Sequence, residues 1–156
     1  MATKKLTPLI ILLLLLSNSL IAREWNFDAI LNDRVIGQHN FKIDNSESLS
    51  EANFHIEFLF MDIYYKHTSS ESWDNGCLIK INSQTNDDGD HFKVTGKLEG
   101  KDFKLKVNDN SFQYPNCIMS FSYWDSKILE QSKLLNSQNG ELLDVKFVFI
   151  KDHQIN

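Results

Sequence analysis

Glycine and proline are scarce, with 6 and 2 residues in a chain of 156. That excludes a collagen-like or low-complexity polymer. Cysteine is nearly absent too: there are two, and no CxxC pair, so a thioredoxin-like redox site is not expected. No GxGxxG, Walker-type loop, HExxH or GxSxG occurs, which removes the usual nucleotide, zinc-protease and serine-hydrolase signatures. The five His residues (39, 55, 67, 91 and 153) are scattered one per strand or tail rather than spaced as ligands. No catalytic residue, cofactor or metal ligand is therefore assigned. What the chain does have is aromatic mass: 11 Phe, 3 Trp and 4 Tyr, all beyond residue 22.

The first 22 residues read as a secretory signal peptide, leaving 23–156 as a single β-rich domain. Lys4 and Lys5 form a positive start. Leu9 to Leu16 is an unbroken run of eight Leu and Ile residues, far short of the ~20 that span a membrane. Cleavage after Ala22 competes with cleavage after Ser19, and an uncleaved signal anchor is the alternative. The expected location is periplasmic or secreted, with no transmembrane helix after cleavage. Removing Lys4 and Lys5 from 16 cations set against 21 acids moves the net charge from −5 to −7. An acidic chain with no basic patch in its sequence argues against nucleic acid and against docking on anionic lipid. The densest cations, Lys101, Lys104 and Lys106, alternate with apolar residues and read as a solvated strand face. In an exported chain, Cys77 and Cys117 are expected to form one disulfide.

Period-two alternation dominates the rest. Trp25, Phe27, Ala29 and Leu31 share a face, as do Val35, Gly37, Phe41 and Ile43. A loop at Asn32–Arg34 would set Leu31 opposite Val35, Ala29 opposite Gly37 and Trp25 opposite Phe41. The polar stretch Asp44 to Glu51 reads as a loop. Ala52, Phe54, Ile56, Phe58 and Phe60 alternate again, with a break near Met61 and Asp62. Asn75-Gly76 is a type I′ hairpin signal that would pair Trp73 with Leu78 and Glu71 with Lys80. Turns at Asn86–Gly89 and Gly100-Lys101 complete an antiparallel meander over 64–108. Residues 109–116 read as irregular, and Cys117 to Trp124 as another strand. A short helix capped by Asp125 follows, carrying Trp124, Ile128 and Leu135 at helical spacing. Val145 to Ile150 reads as a buried strand. The fold class is mainly β: an antiparallel meander forming a curved sheet or partly open barrel, with one short helix.

Two sets of residues stand out as candidate sites. Phe54, Ile56, Phe58 and Phe60 either line an apolar ligand cavity or fill the core. Tyr65, His67, Glu71 and Trp73 share one strand face by parity and would form a polar wall. At about 3.3 Å per residue, His67 and Glu71 stand about 13 Å apart, too far for direct partnership. The preferred alternative is a solvated hairpin with Glu71 paired to Lys80.

A resemblance adds to this. Tyr65-Lys66-His67, Glu71 to Leu78, Thr85 to Gly89, Cys117 to Asp125 and Leu134 to Leu142 together resemble an uncharacterised family of exported proteobacterial proteins, domain of unknown function 6134. Trp25-Asn26-Phe27 and Ile36-Gly37 also fit. The resemblance implies a periplasmic β-rich protein, supports the disulfide through both Cys positions, and carries no activity. Family members continue through several strands beyond Gly140–Leu142, so it also implies a sheet short of its C-terminal strands. The leading expectation is a non-catalytic binder of an apolar ligand such as lipid. The alternatives are an envelope protein–protein interaction or assembly module, and an envelope enzyme of unknown reaction using His67 and Glu71.

Overall fold

The computed structural model describes residues 22–58 and 61–149. The expected signal peptide lies outside the described residues, apart from Ala22. Eight antiparallel strands follow one another in a single meander: β1 (Arg23–Leu31), β2 (Arg34–Asp44), β3 (Glu47–Phe58), β4 (Met61–Asp74), β5 (Cys77–Asp87), β6 (Asp90–Glu99), β7 (Asp102–Val107) and β8 (Asn110–Pro115). The sheet is open, with β1 and β8 as its edges. A 3-10 turn (Ser126–Glu130) and a two-stranded ribbon of β9 (Lys133–Leu135) and β10 (Leu142–Asp144) complete the elements.

Tight turns set the register. Asn32-Asp33 and Asn75-Gly76 both carry positive φ at their two central residues, the requirement of a type I′ hairpin. The expected pairs Trp25↔Phe41, Ala29↔Gly37 and Trp73↔Leu78 are present, and the turn at Gly100-Lys101 sets Leu98 opposite Phe103 and Val94 opposite Val107. Two bulges alter the rest. One between Ala29 and Ile30 sets Ile30, not Leu31, opposite Val35. Another between Ser72 and Trp73 sets Lys80 opposite Ser72 and Glu71 opposite Ile81. A bulge adds one residue and reverses facing beyond it. The expected Glu71–Lys80 pair therefore does not form, and the face carrying Glu71 is buried rather than solvated.

Several loop and strand assignments are corrected. Asp44 to Glu51 is strand except for the turn at Asn45-Ser46, because Ser48 and Ser50 point inward as small polar residues. Residues 110–115 form the edge strand β8, where terminal Pro115 removes no needed donor. Cys117 to Trp124 is not a strand but a covering segment, held by Leu78 N–H donating to Ile118 O at 2.9 Å and an isolated parallel bridge, Ser120↔Leu135. Asp125 does cap the helical turn, accepting from Lys127 N–H, yet the turn is a 3-10 turn and Leu135 belongs to β9. Of the expected strand Val145 to Ile150, Phe147, Val148 and Phe149 are exposed outside any strand, and Ile150 is outside the described residues.

Residues 117–145 fold back over one face of the sheet. The main core lies under β5–β7, where Leu78, Ile81, Val94, Phe103, Leu105 and Val107 meet Ile118 and Leu135. A satellite cluster of Met119, Ile128 and Leu134 packs beside Trp73. Cys77 and Cys117 are joined by a disulfide that ties the covering segment to the start of β5. The opposite face departs from the expectation of no basic patch. Lys80, Lys97 and Lys104 stand directly opposite one another across β5, β6 and β7, with Lys93 and Lys106 beside them.

Candidate functional site

On the covered face, the residues of β2–β5 are small and polar where those of β5–β7 are apolar. Phe41, Ser50, Ser69, Ser83 and Val94 form one cross-strand row. His39, Ala52, His67 and Thr85 form the next row. Ser50 and Ala52 are too small to fill the gap beneath the covering segment, so a space remains there. It is a pocket of about 230 Å³, walled by the sheet and roofed by Ser120, Tyr123, Trp124 and the Asn136–Gln138 loop. Aromatic packing closes one side: Phe41 lies 4.9 Å from Trp124 and 6.1 Å from Tyr123 between ring centres.

Glu71 is buried in this wall. Its carboxylate oxygens accept from Ser69 Oγ at 3.1 Å and Ser120 Oγ at 2.9 Å. Burial raises its pKa to about 7, with the Ser120 and Ser69 hydrogen bonds pulling the other way. His67 is buried as well. Thr85 Oγ1 donates to the Gln138 carbonyl at 3.1 Å, leaving its lone pair to accept from His67 Nδ1 at 2.9 Å. The proton is thereby assigned to Nδ1, and Nε2 accepts from Ser137 Oγ at 3.3 Å. Burial, reinforced by the nearby His39, pushes the His67 pKa down to about 4, so the ring is neutral. His39 is likewise lowered by burial and bonds Ser50 Oγ at 2.8 Å. The order Ser137–His67–Thr85 has the form of a nucleophile, base and orienter, but a neutral Thr replaces the carboxylate that would stabilise imidazolium. The arrangement serves better as a fixed acceptor.

The sequence-derived polar face is gathered on this wall, but not as one contact set. His67 and Glu71 line the pocket. Trp73 sits at one end, donating Nε1–H to Ser48 Oγ at 2.9 Å. Tyr65 sits at the other end, stacked on Phe54 with ring centres 5.2 Å apart. Its hydroxyl is buried with no partner among the described residues, and burial and Asp87 raise its pKa. Phe54 and Ile56 are half-buried on the same face, beyond the reach of the cover. Only the backbone of Phe58 is described, and Phe60 lies outside the described residues. His39, Ser50, Thr85, Ser120, Tyr123, Trp124 and the 136–138 loop were not among the sequence candidates. The readable signal was Ser and Thr at inward parity, at 48, 50, 69, 83 and 85, where core positions would be apolar.

Past Tyr65 the covered face continues without a cover among the described residues. Trp25 and Phe27 are each 44% exposed, although both share the face of the core, whereas the bulge turns Ile30 and Val35 to the other face. With Phe54, Ile56 and Ile63, Trp25 and Phe27 line an apolar trough that runs into the pocket. Gly37 lies at its floor, and a Cβ there would meet the Phe54 ring at 2.7 Å, so only glycine lets that ring lie across the sheet.

The chain matches the family model described as Domain of unknown function (DUF6134) over residues 27–156. It belongs to that family. No curated protein and no solved structure matches it. DUF6134 membership brings no activity, so the reading of this member rests on its own geometry. Elsewhere, His55, Glu57 and Asp62 bring ligand atoms within 4.8 Å of one another, but these are solvent-facing groups that pair as His55–Asp62 at 3.8 Å and His55–Glu57 at 3.9 Å. Among the described residues no helix is long and apolar enough to cross a membrane.

Proposed function

We propose that the protein is an exported, periplasmic, non-catalytic binder of a lipid-like amphiphile. The acyl chain lies along the trough of Trp25, Phe27, Phe54, Ile56 and Ile63, and the polar end enters the pocket of His39 and His67. One observation carries this reading: the apolar trough left open at one end of the core face leads into a built polar pocket. A patch of this kind on an otherwise polar surface is the usual mark of a binding site. Export rests on the signal-like residues 1–22.

Native mass spectrometry of protein prepared from periplasm without detergent tests it. Co-purifying lipid is expected, and Phe27→Lys, which puts a charge in the trough at an exposed edge-strand position, should release it while leaving the fold intact. Protein recovered from the periplasm free of lipid, and unable to take up an added acyl chain, would refute the reading. A second reading has its own support. The unpaired edges of β1 and β8 could accept a strand from another envelope protein. Crosslinking in cells should then capture one dominant partner through β1.

A further inference from the structure

Among the described residues no Lys or Arg lines the pocket, and its one acidic side chain is the buried Glu71. A phosphate or carboxylate seated there would meet no counter-ion and would face a carboxyl group. Leaving a buried charge unpaired is costly. Uncharged donors and acceptors dominate instead: Ser50, Ser120, Asn136, Ser137 and Gln138.

Two groups are free to serve a ligand. His67 Nε2 is an acceptor, because its ring proton is committed to Thr85. Its contact with Ser137 Oγ, at 3.3 Å, is longer than a good hydroxyl hydrogen bond, so a better-placed hydroxyl can displace it. Tyr65 Oη is a buried donor with no partner among the described residues. It stands one residue pair from His67 on the same face, with ring centres 6.5 Å apart, and its ring stacks on Phe54. An acceptor in the pocket and a donor beside it match a hydroxyl followed by an ester carbonyl.

We propose that the pocket takes the uncharged, hydroxyl-bearing head group of an acyl ester, of which a monoacylglycerol is the simplest case. A head-group hydroxyl donates to His67 Nε2, and the ester carbonyl accepts from Tyr65 Oη. The inference rests on the amphiphile-binding reading and names its ligand class. The raised pKa of Glu71 agrees with it, since a carboxyl protonated near neutrality adds a donor without adding charge.

The test compares three probes with the same chain on the full protein: monooleoylglycerol, oleate and oleoyl-lysophosphatidylglycerol. Binding is read by quenching of tryptophan fluorescence, because Trp124 lines the pocket. Monooleoylglycerol should bind at least tenfold more tightly than either anion. Tyr65→Phe, which removes only the hydroxyl, should reduce that preference severalfold. Ser137→Lys, on the roof loop beside His67, supplies the missing cation and should turn the preference toward oleate. If either anion binds wild type as well as monooleoylglycerol does, the head-group inference is overturned while the amphiphile reading stands. If Ser137→Lys folds and leaves the ranking unchanged, the counter-ion argument is overturned. If no probe binds, the amphiphile reading itself fails.

Discussion

Glu71 and His67 are two ionisable side chains held on one buried face by neutral partners alone. Their effects on stability have opposite signs. Glu71 moves from an ordinary 4.5 up to about 7, so across that window the folded chain keeps a proton that the unfolded chain has lost. Stability therefore falls as pH rises through it, by roughly 1.4 kcal/mol per unit. His67 moves from 6.5 down to about 4, so there the unfolded chain holds the extra proton and stability falls as pH drops. Between about pH 4.5 and 6.5 the two slopes offset each other. Glu71→Gln removes one and leaves the other visible. The variant should gain stability relative to wild type between pH 5 and pH 8, by on the order of 3 kcal/mol. Urea midpoints at the two pH values measure this, and a constant offset between the proteins would show that the carboxyl is not raised.

At the scale of strands, turns were the most legible feature. Asn75-Gly76 sets Trp73 opposite Leu78 as expected, whereas the loop expected over Asn32–Arg34 is the two-residue turn Asn32-Asp33, with Leu31 opposite Arg34; both turns have the side-chain chemistry that tolerates positive φ. The bulge at Ser72/Trp73 was not legible, since no glycine or proline marks it, and it decides whether Glu71 or Ser72 meets Lys80. The covering segment was misread for a related reason. Cys117 to Trp124 is apolar because it packs down on the sheet, not because it pairs within it. The lysine row was hidden as well: Lys80, Lys97 and Lys104 are far apart in sequence and become neighbours only through register. Like charges directly opposite one another destabilise a sheet. Lys97 and Lys104 have partial relief from Glu99 at 2.7 Å and Asp102 at 3.9 Å, whereas Lys80 has no ion-pair partner among the described residues. Lys80→Glu should thus stabilise the protein by about 0.2–1 kcal/mol at low salt. The gain should shrink at high ionic strength, where exposed charges are screened. An unchanged or lowered melting midpoint at low salt would mean that the lysines are already far enough apart in water.

The whole molecule is a sheet with half of one face covered, and its stability depends on how that cover is held. The covering segment is tied to the sheet by Leu78 N–H donating to Ile118 O and by side chains: the hydroxyls of Ser83, Thr85 and Tyr114 donate to the carbonyls of Ser137, Gln138 and Gly140, and Ser120 donates to Glu71. The disulfide adds a covalent tie, closing a loop of 40 residues between Cys77 and Cys117. A loop of that length contributes on the order of 4 kcal/mol by restricting the unfolded chain. Cys77→Ser with Cys117→Ser should lower stability by about that amount, read as a shift in urea midpoint at an unchanged slope. The loss should be felt first in the roof, because Trp124 and Tyr123 follow Cys117 closely and close the pocket over Phe41. Below the unfolding midpoint, the double variant should therefore show looser tryptophan packing: a red-shifted emission with the β-sheet circular dichroism intact. If emission and circular dichroism instead change together, cover and sheet form one cooperative unit. The pocket would then exist only when the entire sheet does.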